Sequence, residues 1–258
     1  MNKFVKIFAA SLISAGCYGS AAASTGDFNL FGSWNKITAS SERSTRSMTV
    51  DSEYDMVKVT RGITVNMTDC AGPTKVKISG PSNIVELTDV SVKDGVLVVD
   101  FTENFSLKGD NVTVDVSGRM PSGYKVSAGG TINVNSPVTV TGGMSVGCSA
   151  GGEINVNGNV KAGSIDISCS AGGEIEVNGA TVVDNANVRC SAGGEIDVEN
   201  INAASVEANV SAGGEIKVCG KADTVSAKAS AGGEIDLRKL SVSRYGNLKA
   251  SAGGEIKR

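Results

Sequence analysis

The 258-residue sequence contains no histidine. That removes Ser-His-Asp and Cys-His nucleophile systems and every His-ligated metal site. Hydrolysis by a pair of carboxylates needs no histidine, so enzymes are narrowed rather than excluded. Aromatic residues are only 4% of the chain, while Gly reaches 33 residues. That balance suggests thin, regular β structure rather than a bulky mixed core. The formal charge of −3 shows no basic excess along the chain, and no nucleic-acid partner is expected. No apolar run reaches the roughly 20 residues that a bilayer-spanning helix requires, so no transmembrane segment is expected.

Residues 1–23 read as a secretion signal: Lys3 and Lys6, an apolar stretch from Ile7 to Ala15, then Ala21-Ala22-Ala23 before Ser24. Its removal takes the formal charge from −3 to about −5. Lipoprotein anchoring at Cys17, after Ser14-Ala15-Gly16, is a second reading, weakened because Ser14 stands where a Leu-like residue is usual. The expected location is therefore exported: periplasm, outer surface or secreted. Residues 24–46, rich in Ser, Thr, Asn and Gly, read as a leader or linker.

What the chain does have is a repeat. Ser-Ala-Gly-Gly-(Glu/Thr)-Ile begins at Ser127, Ser149, Ser170, Ser191, Ser211, Ser230 and Ser251, at intervals of 19 to 22 residues. Before each copy apolar and polar residues alternate, as in Ile165-Asp166-Ile167-Ser168-Cys169; after it they alternate again, as in Glu174-Ile175-Glu176-Val177. Period-2 alternation means strands with one buried face. Gly151, Gly152, Gly172, Gly173, Gly193, Gly194, Gly213 and Gly214 then mark corners, where positive φ or close backbone approach is tolerated. Asn157-Gly158 and Asn178-Gly179 suggest a second corner.

A unit of about 21 residues cannot bury its own apolar face, whereas stacked copies can. The expected fold is all-β: a right-handed parallel β-helix of about seven rungs over residues 127–258, with a non-repeating β cap over 47–126. Strands are expected at Met56–Val59, Ile63–Met67, Lys75–Ile78, Val96–Phe101 and Val112–Val116. The last motif copy runs into Ile256-Lys257-Arg258. Its two cations read as guards against edge pairing, or the end as a surface for an end-to-end homodimer.

Tyr54-Asp55-Met56-Val57-Lys58-Val59, Gly62-Ile63-Thr64-Val65 and Asp94-Gly95-Val96-Leu97-Val98-Val99 look like the opening strands of one family. From about residue 47 to 258 the chain resembles the head GIN domain of putative auto-transporter adhesins. The family corner is commonly Ser-Gly-Ser-Gly, and this chain uses Ser-Ala-Gly-Gly more uniformly. The resemblance implies an exported β-helix with no defined ligand. The pattern of a β-barrel translocator is not evident, which counts against literal auto-transport.

Two side-chain columns stand out as candidate sites. Glu153, Glu174, Glu195, Glu215, Glu234 and Glu255 recur at one motif position, stacked about 4.8 Å apart in a β-helix. Their repulsion calls for compensation. Hydrogen bonds from the Ser hydroxyls and corner N–H groups would supply it; Ca²⁺ held among Glu174, Glu176, Glu195 and Asp197 is a weaker alternative. Catalytic acids usually break a repeat, whereas these are the repeat, which argues against a carbohydrate-active enzyme and any further cofactor. Cys148, Cys169 and Cys190 share the last inward position before Ser, a slot filled elsewhere by Val126, Val210, Ala229 and Ala250. They read as a column of free buried thiols. Cys70 and Cys219 are isolated, and no pairing is evident.

The expectation is thus a non-enzymatic envelope protein, an adhesin or scaffold for an unknown protein or glycan. A carbohydrate-active enzyme and a purely structural periplasmic protein are the alternatives. Arg189, Lys228, Arg238, Lys239 and Tyr245 are the irregular residues on which a binding face would show.

Overall fold

The computed structural model describes residues 35–258. Residues 1–23, read as a secretion signal, with Cys17, and residues 24–34 of the leader reading lie outside them.

Each motif copy joins two strands at a corner, and successive copies stack in parallel register. The strands before the corner form a leading wall: Gly123–Val126 pairs with Gly143–Cys148, which pairs with Ser164–Cys169, and so on upward. The strands after it form a trailing wall, from Thr131–Val134 through Glu153–Val156 and Glu174–Val177 to Glu255–Lys257. Short segments form a third wall, beginning with Val138–Thr139 and Val160–Lys161. The seven corners therefore enclose about six complete turns, one fewer than the corners suggested.

The corner divides its labour among three residues. Ala171 and Gly172 both take left-handed backbone, φ 51° and 70°, and the Gly173 N–H closes the turn on the Ser170 carbonyl at 3.1 Å. Two left-handed central residues reverse the chain tightly, as in a type I′ turn. The second Gly meets a different need: a β-carbon on Gly173 would press on the Cys148 and Cys169 sulfurs. Positive φ thus falls on Ala and the first Gly, and close approach on the second.

The inward rows line the bore with apolar side chains. Ile154, Ile175, Ile196 and Ile216 stack in one row and Val156, Val177, Val198 and Val218 in the next, all inaccessible to solvent. Each such side chain contributes about 1.5–3 kcal/mol on leaving water. Tyr124 occupies the bore where the repeats begin.

Below the repeats the chain order inverts. Met56–Val59 and Thr64–Asp69 slot between the first repeat strands and a lower pair, Val96–Phe101 and Thr113–Gly118. Antiparallel strands then finish the stack: Thr88–Lys93 covers Val96–Phe101, Thr74–Pro81 covers Thr113–Gly118, and Arg43–Val50 covers Thr74–Pro81. The helix Ser82–Leu87 tucks Ile84 and Val85 into the core. Covering the parallel edge this way removes a template for aggregation. Residues 35–46, read from composition as leader, carry the strand Asn35–Thr38, paired with Phe105–Lys108, and the start of Arg43–Val50.

Candidate functional site

Strand alternation dictates which side chains leave the core. On the leading wall the residue two places before each corner Ser points outward. In register these residues are Lys58, Lys125, Gly147, Ser168, Arg189, Asn209, Lys228 and Lys249. Read along the chain the cations are scattered; the coil gathers five of them into one column without an acid. Gly147 and Ser168 are short, so between Lys125 and Arg189 the column falls away. A groove of about 620 Å³ opens there, flanked by Lys125, Arg189 and Lys228 and edged by Ser149, Ser170 and Ser191. The half-buried corner hydroxyls form no hydrogen bond within the described residues.

The trailing wall has the opposite sign. Glu153, Glu174, Glu195, Glu215, Glu234 and Glu255 face one another rung to rung. Burial, together with Glu195, Glu176 and Glu153, raises the Glu174 pKa. The corner N–H groups do not compensate these carboxylates as expected: they bond between rungs, Gly172 N–H donating to the Ala192 carbonyl at 3.2 Å, because a parallel stack requires it. Partial relief comes from Asn155, which donates to Glu153 at 2.7 Å, and from Lys257, paired with Glu234.

Next to the glutamates a second outward column begins as an amide ladder, Asn155 to Asn133 to Asn66 to Asp115. It continues as Glu176, Asp197, Lys217, Asp236 and Lys257. Glu174 lies opposite Glu195 and Glu176 opposite Asp197, but Lys217 already pairs with Asp197. Among the described residues no group of three or more Cys, Asp and Glu converges to hold a metal.

Cys148, Cys169 and Cys190 stack in register with Val126 below and Val210 above; all three are buried and unbonded. Interaction with the Cys169 sulfur and burial push the Cys148 and Cys190 thiols up. Cys70 is exposed and Cys219 half-buried, with no bond between them.

Of the irregular residues, Arg189 and Lys228 fall in the groove column. Arg238 and Lys239 sit beyond the trailing strand Glu234–Asp236, with Arg238 held by Asp236 at 2.7 Å. Tyr245 lies in the final turn beneath the Arg258 guanidinium. Lys125 and Lys249 were legible as column members from their distance to the corner, and Lys58 joins them only once Thr60-Arg61-Gly62-Ile63 is seen as a corner too. Arg61 and Gly62 have φ 53° and 71°, and Ile63 N–H closes on the Thr60 carbonyl at 3.3 Å.

Residues 53–239 match the family described as putative auto-transporter adhesin, head GIN domain. The chain belongs to this family. A similar solved structure is a putative adhesin from Bacteroides fragilis, at 20% identity and TM-score 0.75, covering 86% of this chain and 99% of that one. A putative adhesin from Parabacteroides distasonis is 19% identical, with TM-score 0.69, covering 84% and 100%. A putative lipid binding protein from the same species is 17% identical, with TM-score 0.69, covering 86% and 99%. At these identities the likeness shows the shared β-helix. No curated protein matches the chain. Among the described residues no helix of this GIN-domain chain is long and apolar enough to cross a membrane.

Proposed function

We propose that this GIN-domain chain is an exported, non-catalytic binding scaffold of the cell envelope, presenting its leading wall to a ligand. The groove between Lys125 and Arg189 carries the reading. It is the place where the outward column of an otherwise regular wall opens, and it is lined by cations and hydroxyls. No acid there breaks the repeat, as a catalytic carboxylate pair would require. Cys148, Cys169 and Cys190 line the groove floor but are buried in their row, which leaves no sulfur presented to a substrate. The family name supports adhesion, and a secretion signal at residues 1–23 supports export.

A lipid chain is a poor fit for the interior, because Tyr124, Ile154 and Ile167 already fill it. Protease shaving of intact cells beside fractionation tests the reading. Loss of the protein from intact cells is expected. Protection, with recovery in the periplasm, would remove adhesion and favour a structural envelope role.

A further inference from the structure

We infer that the leading-wall groove binds a linear anionic polysaccharide laid along the solenoid axis across Lys125, Arg189 and Lys228. The inference rests on the binding-scaffold reading above and gives it a ligand class.

Charge segregation is the first argument. The sequence pI is near 5.2 and the formal charge −3, so five cations in one column do not follow from a generally basic protein. Lys58, Lys125, Lys228 and Lys249 are exposed, and none forms an ion pair among the described residues. Arg189 has only a loose contact with Asp166, 3.7 Å, with both side chains 57% exposed. Such a pair is worth little and is readily exchanged for a ligand anion. Beyond the corner the six glutamates repel the same ligand. A polyanion is therefore guided to the leading wall and kept off the trailing one.

Shape is the second. At about 4.8 Å per rung, Lys125 and Arg189 stand about 14 Å apart and Arg189 and Lys228 about 10 Å. The cations thus follow one line, with Gly147 and Ser168 leaving the floor open between the first two. A flexible single chain bearing anionic groups can lie along that line; a rigid duplex would touch it only at a tangent.

Chemistry is the third. The corner serines repeat at rung spacing and offer free donors and acceptors to sugar hydroxyls. The groove contains no Trp, Tyr or Phe. Bases of single-stranded nucleic acid need such stacking platforms, and protein partners favour aromatic anchors in their hot spots. Hydroxyls and cations without aromatics suit a charged glycan better than either.

Affinity electrophoresis and titration calorimetry with polygalacturonate, dextran sulfate, neutral dextran and single-stranded DNA test the inference on the full exported chain. The protein should bind at least one of the two anionic polysaccharides but not dextran, with affinity falling as salt rises from about 0.05 to 0.5 M. The triple variant Lys125→Gln, Arg189→Gln, Lys228→Gln should weaken binding by about tenfold or more with an unchanged melting temperature. An equally charge-depleted control, Lys75→Gln, Lys77→Gln, Lys93→Gln, should stay within about twofold. Equal loss in the control, no loss in the column variant, or equal binding of DNA would overturn the inference. So would failure to bind either anionic polysaccharide. If that failure came with protein still shaved from intact cells, the scaffold reading would stand without this ligand; protection from shaving would remove the scaffold reading itself.

Discussion

Gly173 lies so close to Cys148 in the turn below that a β-carbon on it would come within 2.9 Å of the sulfur. The corner glycine and the thiol column are therefore one packing unit, and the motif's second Gly is tied to whatever fills the row beneath. Gly172 differs: a β-carbon there meets nothing within 4 Å, but φ is 70°.

The two glycines should respond differently to alanine. Gly172→Ala should cost about 1–2 kcal/mol, the strain of left-handed backbone alone. Gly173→Ala should cost about 1–3 kcal/mol through overpacking, and only this loss should be partly recovered by adding Cys148→Ala. Chemical denaturation of the single and double variants measures the coupling. Additive effects would contradict the packing unit.

Arg61 stands in the left-handed position that alanine holds in the repeats, so Arg61→Ala leaves the backbone at ease. What it removes is a set of bonds: Nε to Asp100 at 2.6 Å, and donations to the Glu103 carbonyl at 2.7 Å and the Phe101 carbonyl at 2.6 Å. The variant should lose about 1–3 kcal/mol. Burial would raise Asp100, but hydrogen bonds from Thr60 and Arg61 hold it below the ordinary carboxylate range. Its contribution is present above the unfolded pKa and is lost as pH falls through the lowered one. The difference between wild type and variant, read by thermal melts, should therefore shrink in acid.

Glu174 has the reverse sign. Its folded pKa is raised by burial and by Glu195, Glu176 and Glu153. Protonated Glu174 is tolerated below the unfolded value, and stability is lost as pH rises through the folded one. Glu174→Gln should raise the melting temperature at pH 7, with the gain disappearing near about pH 4. A gain that persists in acid would mean that repulsion in the glutamate column is not its source.

Thiol titration reads the column directly. Cys70 is exposed and should react at once under native conditions, and half-buried Cys219 more slowly. Cys148, Cys169 and Cys190 should react only on denaturation, because packing in the wall shields their sulfurs from reagent. Failure to recover them without reductant would reveal a disulfide.

The β-helix was legible because its signal is local and repeated: each corner carries its own glycines and each wall its own alternation. The rest depended on contacts distant in sequence. Residues 56–69 sit between 96–118 and the first repeat, an inversion that no periodicity reports. Arg43–Val50 was obscured because Arg-Ser-Thr-Arg-Ser-Met-Thr-Val carries only two apolar side chains, Met48 and Val50. The Thr60–Ile63 corner lacks the second Gly, since Ile63 fills the core where the repeats need room. The cation column was hidden because its members are 21 to 67 residues apart and share only their distance from a corner.

On the proposal above, the molecule faces outward and its leading wall, not its trailing wall, holds the ligand. Variants with one added surface cysteine, Ser168→Cys or Glu195→Cys, in a background lacking Cys70 and Cys219 and keeping the buried Cys148, Cys169 and Cys190, test it on intact cells with a membrane-impermeant maleimide. Both positions should label, and polygalacturonate or dextran sulfate should protect only the one in the groove. Failure of either position to label, or equal protection of the two, would contradict the account.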